Sequence, residues 1–451
     1  MNRLYFLVLL VGLMSCEKEK KVDYAILSGS ISNPSAESIT LYKGQEKLTE
    51  INLDDQGKFS DTIRNVSPGF LTLAHGRENT SLYVAPGHNL NLSLDTQQFD
   101  ESISYSGEGS TANNYLAKKY LKNEELSQNQ SEMFKMQEDS FYNRAGEIKQ
   151  QFTSLLNDSE NIDEDFIALE KKNIEYEYLA YLQNYPTYHA YYAQKPDFKA
   201  SEGFLDPLEN LDYTNDYDYE NIGNYRQLVL NHYNKMIHDS ENLNSTFQEV
   251  NKTASQQVKD DLSQNLAYEI NPNNEHNEDY LNGITSLSSD QKLKDIIKVK
   301  YDKVQQLTKG KPSPIFTDYE NHKGGSTSLT DLKGKYVYVD VWATWCGPCK
   351  VEIPYLKEVE KQYHGKNIVF VSTSIDKADD HNTWVQMVKD KELGGMQLMA
   401  DNDWNSKFVT DYAIEGIPRF ILIDPNGNIV TADAPRPSNP ELVAMFESLD
   451  I

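Results

Sequence analysis

The sequence predicts a multi-domain chain: an N-terminal all-β domain, an α-helical middle region and a C-terminal α/β domain. Three observations carry this. Short alternating apolar runs broken by turn residues occupy residues 24–106, a period near 3.6 with little glycine occupies 107–309, and strand-like and helix-like patterns alternate over 310–451. A length of 451 residues suggests about three domains. A hydrophobic content of 38% with 11% aromatics supports packed cores rather than disorder.

Residues 1–15 read as a cleavable signal: a basic start at Arg3, an apolar stretch from Leu4 to Met14, then Leu13-Met14-Ser15-Cys16. The stretch is shorter than the ~20 apolar residues of a spanning helix, and it resembles a bacterial lipoprotein signal. That resemblance implies cleavage before Cys16 and a lipid on its side chain, followed by a charged tether over residues 16–23. In the β domain, Ser38–Tyr42, Phe70–Leu73, Ser81–Val84 and Leu90–Leu94 alternate as strands. Asp54-Asp55-Gln56-Gly57, Ser67-Pro68-Gly69 and Ala85-Pro86-Gly87 supply turns. An antiparallel sandwich or barrel is expected, with His75 and His88 as isolated loop or edge histidines.

In the middle region Phe166, Leu169, Ile174, Tyr178, Tyr181 and Leu182 recur at helical spacing, and Pro186, Pro196 and Pro207 are expected to divide it into several helices. The tyrosines between Tyr176 and Tyr192 fit a core stripe with hydroxyls at its rim. Asp216-x-Asp218-x-Glu220 lacks the central glycine and distal glutamate of a calcium loop, so an acidic loop is expected. Lys309–Pro314 links to the last domain. There the strands Tyr336–Val341, Ile368–Ser374, Gln397–Ala400, Phe420–Asp424 and Ile429–Ala432 alternate with helices Cys349–Tyr363, Asp380–Lys391 and Asn405–Tyr412. Pro440–Leu449 closes the chain as a helix.

Trp345-Cys346-Gly347-Pro348-Cys349 falls where the first of these strands gives way to a helix. At a helix N-terminus, unpaired N–H groups and the macrodipole favour a thiolate, and one helical turn keeps the second sulfur in reach of a mixed disulfide. A zinc site would need two more ligands at metal spacing, and the chain has three cysteines with no second pair. Haem attachment would need histidine where Lys350 stands, and a peroxidatic motif does not align, with Thr344 two residues before Cys346. Thiol–disulfide exchange remains, with no cofactor beyond the Cys346–Cys349 disulfide itself. A net charge of −26 argues against nucleic acid and against electrostatic adhesion to anionic lipid.

The last ~140 residues resemble the TlpA/ResA branch of the thioredoxin superfamily. The motifs are Ser328–Lys335, Trp342-Ala343-Thr344-Trp345-Cys346-Gly347-Pro348-Cys349, Glu352-Ile353-Pro354 and Gly416-Ile417-Pro418. The first part resembles, more loosely, the β-domain of envelope lipoproteins of the Bacteroidota type. The resemblance implies Cys346 as attacking thiolate and Cys349 as resolving thiol, with Gly347 and Pro348 setting the turn. That dipeptide is similar to the one in thioredoxin, a reductant near about −270 mV. Asp340, six residues before Cys346, corresponds to a buried acid that takes the proton of the resolving thiol, and Glu352 to an acid beside the dithiol. Pro354 corresponds to a helix kink. Pro418 corresponds to a cis-proline whose neighbour Ile417 offers its backbone to substrate, and Trp345 is expected to border that surface.

These features point to a membrane-anchored thiol–disulfide oxidoreductase of the bacterial envelope, facing periplasm or cell surface. Its expected partners are protein disulfides as substrate, a membrane electron donor, and the membrane through the lipid anchor. An oxidase or isomerase is the alternative within the same chemistry. A ligand- or partner-binding lipoprotein with an auxiliary redox module is the alternative outside it.

Overall fold

The computed structural model describes residues 22–44, 46–127, 129–449 and 451. The expected signal and Cys16 lie outside them. The chain divides into two compact units, one ending at His232 and the other running from Tyr233 to Ile451. Helices of the middle region therefore occur in both.

The first unit opens with eight strands: β1 (Tyr24–Ser32), β2 (Ser38–Lys43), β3 (Glu46–Asn52), β4 (Lys58–Arg64), β5 (Gly69–His75), β6 (Glu78–Val84), β7 (Asn89–Asp95) and β8 (Ser104–Glu108). They form two four-stranded sheets, in orders β4-β1-β7-β8 and β3-β2-β5-β6. Alternate residues such as Leu27 and Leu92 from one sheet and Leu41 and Leu73 from the other share one core, which makes the domain a sandwich. The expected antiparallel pattern fails at one pair: β1 runs parallel to β7, with Leu27 beside Leu90. Alternation places the same face inward in either direction, so the sequence pattern cannot distinguish the two.

His75 ends β5 and His88 lies in the loop before β7, and both are buried. His75 Nε2 accepts the Ser35 N–H at 3.0 Å, and its Nδ1 lies 3.0 Å from the Ser38 carbonyl. Pro186 does not end a helix, because Glu164–Tyr192 runs through it. Leu182, Tyr185 and His189 are buried on both sides of it, and their packing outweighs the one backbone bond that proline forfeits. The tyrosine stripe is mixed: Tyr178 and Tyr185 are core, and Tyr188 and Tyr191 are exposed. The acidic loop is instead a short helix, Asp216–Asn221, with Asp218 buried.

The second unit carries helices Leu243–Thr253, Gln256–Leu266, Asn277–Leu287 and Gln291–Val304, then the α/β domain. Its strands are β9 (Tyr319–Asn321), β10 (Ser326–Thr327), β11 (Tyr336–Trp342), β12 (Ile368–Ser374), β13 (Met396–Met399), β14 (Arg419–Ile423) and β15 (Ile429–Thr431). They form one seven-stranded sheet in the order β10-β9-β13-β12-β11-β14-β15. β11 is central, parallel to β12 and antiparallel to β14. Val337, Val339 and Val341 of β11 face one core. Tyr338 faces the other, with Leu356 and Val359 of the helix Gly347–Gln362 and Phe446 of the C-terminal helix. The period of two along β11 puts Asp340 on that second face, beneath the helix. The β9–β10 hairpin carries too few residues to show a strand pattern in the sequence. Among the described residues no helix is long and apolar enough to cross a membrane.

Candidate functional site

The dithiol sits where β11 hands over to the helix Gly347–Gln362. Cys346 is the N-cap, and its sulfur accepts the Cys349 N–H at 3.1 Å, so the sulfur sits where a capping oxygen would. Pro348 stands in the first turn, where the missing N–H costs nothing. Gly347 precedes it with no side chain in the way. Cys346 and Cys349 are joined as a disulfide, and both are buried. Pro354 lies inside the helix, which continues to Gln362.

The rim around Cys346 is built from distant segments. The Ile417–Pro418 peptide is cis, as expected, and the Ile417 carbonyl oxygen lies 3.8 Å from Cys346 Sγ. Trp345 is exposed and its ring lies 6.3 Å from that of Trp404. Beside Gly416 and Pro418 a groove of ≈ 790 Å³ opens, reaching Asn273 in the turn before the helix Asn277–Leu287, Lys300 of the helix Gln291–Val304, and Arg419 and Arg436 of the α/β domain.

Asp376 is a residue that the sequence motifs did not reveal. Its carboxylate accepts the Thr344 N–H at 3.0 and 3.1 Å and the Thr344 hydroxyl at 2.8 Å. The Ser374 hydroxyl donates to it in turn at 2.6 Å. All three are buried, so the loop carrying the dithiol is clamped to the end of β12. The only signal in the sequence is that Ser374-Ile375-Asp376 ends a strand.

Beneath the helix lies a narrow slot with ≈ 10 Å³ of room for a water centre; Cys349, Asp340, Ser372 and Glu360 are among its walls. Asp340 is half-buried and borders this slot. Burial pushes its carboxyl up to about 7, against the pull of a hydrogen bond from Ser372, and the charges of Glu360 and Glu352 add to the rise. Glu352 is buried on the same helix, but both its oxygens are taken, by the Ser438 N–H at 3.0 Å and the Ser438 hydroxyl at 2.9 Å. It is not among the slot's walls. A dithiol at a helix start, with a neighbouring carboxyl that exchanges its proton near neutral pH, can interconvert with a disulfide in water.

Residues 308–446 match the Redoxin family. The thiol-disulfide oxidoreductase ResA of Bacillus thuringiensis (strain Al Hakam) is 30% identical over 125 residues, 28% of this chain and 68% of the relative. ResA of Bacillus cereus (strain ATCC 10987 / NRS 248) is 30% identical over 132 residues, 29% of this chain and 72% of the relative. A crystal structure of the thioredoxin domain of a thiol-disulfide oxidoreductase from Bacteroides vulgatus is similar at 31% identity. It covers 32% of this chain and 98% of that one, with a TM-score of 0.29. Through its C-terminal redoxin domain, the chain belongs to the ResA-like thiol-disulfide oxidoreductases.

Proposed function

We propose that this oxidoreductase reduces protein disulfides in a bacterial envelope, held to the membrane by a lipid on Cys16 and re-reduced by a membrane electron donor. The carrying observation is the Cys346 sulfur 3.8 Å from the Ile417 carbonyl, whose chain neighbours Gly416 and Pro418 line an open polar groove. A groove of that size suits a polypeptide segment better than a small disulfide, and its mix of asparagine, lysine and arginine suits backbone and polar side chains. The Gly347-Pro348 turn and the Leu13-Met14-Ser15-Cys16 run support the direction and the anchor.

In this reading the Cys346 thiolate attacks one sulfur of the substrate disulfide, and the other leaves as a thiolate. Cys349 then gives its proton to Asp340 and attacks Cys346 Sγ. The intramolecular disulfide forms as the second substrate thiolate departs, so two electrons pass from the dithiol to the substrate. Glu352, bonded to Ser438, holds the helix and adds charge near Asp340.

The test is insulin reduction by the full chain, with Cys349→Ser used as a trap in envelope fractions. Expected are turnover by the wild type, none by Cys346→Ser, and mixed disulfides with envelope proteins on Cys349→Ser. Wild-type turnover by Cys346→Ser would overturn the reading, and so would an empty trap. Mass spectrometry of the wild-type N-terminus tests the anchor, which an uncleaved, unmodified start would exclude.

A further inference from the structure

The slot beneath the helix continues well past the dithiol. Cys349, Ile353, Leu356 and Glu360 all border it, a spacing of four, three and four residues that keeps one helical face over it. From Cys349 to Glu360 is eleven residues, about 16 Å of helix axis. Asp340 meets the slot from β11 below, and Glu360 meets it from the helix's last turn, half-buried. An acid beneath the helix that accepts the proton of Cys349 must release it to water before the next cycle, and Asp340 borders the slot.

We infer that Glu360 is the outer station of the path by which the Cys349 proton reaches solvent, acting through Asp340 and a water held in the slot. Three observations carry this. First, the backbone makes room for that carboxylate: a Cβ on Gly394 would lie 2.1 Å from Glu360 Oε2, and one on Gly395 would lie 2.8 Å from Oε1. Second, Gln397 is 5% exposed, and its amide donates to the Gly394 carbonyl at 2.8 Å. Its buried Oε1 has no protein partner and borders the same slot, which suits it to accept from a water there. Third, no ion pair neutralises the two acids: among the described residues neither Asp340 nor Glu360 forms one, although Lys357 also lines the slot.

Lys357 on its own helix and Lys323 beyond β9 act on Glu360, and Glu360 in turn acts on Asp340 on β11. Burial pushes Glu360 up to about 7, the two lysines pulling the other way. Both acids therefore take up and release protons in the same pH range, as a coupled pair. In the resolving step the proton goes from Cys349 Sγ to Asp340, then through water to Glu360 and out. The S–S bond to Cys346 forms while the bond from Cys346 to the substrate sulfur breaks, its electron pair leaving on that sulfur. Glu360 is a positioning residue, since it touches neither sulfur.

The inference rests on Cys349 being the resolving sulfur. Its test is stopped-flow release of the two thiolates of a symmetrical aromatic disulfide by the reduced full chain. The first reports attack by Cys346 and the second resolution by Cys349. Glu360→Gln is expected to leave the first phase unchanged and slow the second by about tenfold near neutral pH in dilute buffer. Its midpoint should move to lower pH, and concentrated imidazole or acetate should restore the rate. Asp340→Asn should gain little further loss from Glu360→Gln. Gly394→Ala, which crowds the same carboxylate, should slow the second phase in the same direction. An unchanged second phase in Glu360→Gln overturns the inference, and so does a slowing that buffer does not rescue. Failure of the first phase in Cys346→Ser bears on the attacking sulfur alone, so the two failures are distinguishable.

Discussion

Glu170 and Asp340 are both carboxylates beneath packed helices, and they have been given opposite surroundings. In the first unit Glu170 is fully buried and accepts from Lys119 Nζ at 2.8 Å, the Tyr115 hydroxyl at 3.0 Å and Asn173 Nδ2 at 2.9 Å. Asp218 is built alike, with Lys172 Nζ at 2.8 Å, the Tyr176 hydroxyl at 2.6 Å and Asn215 Nδ2 at 3.1 Å. Burial works against the Lys119 charge, but Glu170 and Glu177 more than reverse it, and its pKa stands above the ordinary lysine value. These acids are ion-paired struts. In the second unit Asp340 has the Ser372 hydroxyl and a slot instead of a cation, and its carboxyl rises to about 7. A carboxylate drawn into the fold thus becomes a strut where a cation and donors are supplied, and a proton carrier where they are withheld.

The largest expected effect breaks the redox region alone. Cys346→Ser should reduce disulfide turnover to background while leaving the folded state intact by circular dichroism. Cys349→Ser should preserve the first attack and accumulate mixed disulfides. Comparable turnover in either variant and the wild type would remove the functional half of the contrast.

The struts should behave oppositely. Lys119→Met leaves Glu170 buried without its cation, and a loss of about 3–5 kcal/mol is expected in urea unfolding of the full chain. The redox rate per folded molecule should not change. Adding Glu170→Gln should recover part of the loss, because the uncompensated charge goes with it. A cost below about 1 kcal/mol for Lys119→Met would show that the network is not a strut.

Asp340→Asn should stabilise the fold at neutral and alkaline pH. With a folded-state pKa of about 7 against an ordinary 3.8, the folded chain binds more protons than the unfolded one between those values, so wild-type stability falls as pH rises through that window. Asparagine removes this dependence. The gain should be absent below pH ~4, grow to pH ~7, and level off at about 2–4 kcal/mol, three pKa units setting the upper end. Unfolding measured at pH 4, 6 and 8 reads it directly, and a gain largest at pH 4 would reverse the sign and refute the assignment. The resolving step should slow in the same variant near neutral pH.

The smallest effect belongs to Glu352→Gln. The amide keeps one acceptor for Ser438 and loses the other, a cost of about 1 kcal/mol. Glu352 is the weaker of the two acidic neighbours that raise Asp340, so the midpoint of the resolving step should drop less than in Glu360→Gln. A larger drop would move the outer proton role from Glu360 to Glu352.

Several parts of this contrast were legible in the sequence because their physics is local. A dithiol spaced by one helical turn after an apolar strand can only sit at a helix start, and Asp340 in so apolar a run can only be tucked beneath it. The proline after Gly416-Ile417 was legible as motif, and the structure brings its carbonyl neighbour to Cys346. Glu360 was not. In the sequence it is one more acid on the polar part of a helix, and it gains meaning only because Gly394 and Gly395, more than thirty residues later, leave its carboxylate space. Asp376 was missed for the same reason, since its partner Thr344 is thirty-two residues away.

By itself the sequence determined the order of β, helical and α/β regions, the dithiol, and the acid on the central strand, since strand and helix periods and turn residues act over a few neighbours. Tertiary structure alone decided the parallel β1–β7 pair, the continuation of a helix through Pro186, and which buried acids received a cation. Those outcomes depend on packing between segments far apart in the chain. There, burial of an apolar face outweighs one lost backbone bond, and a charge's environment is set by whatever the fold lays against it.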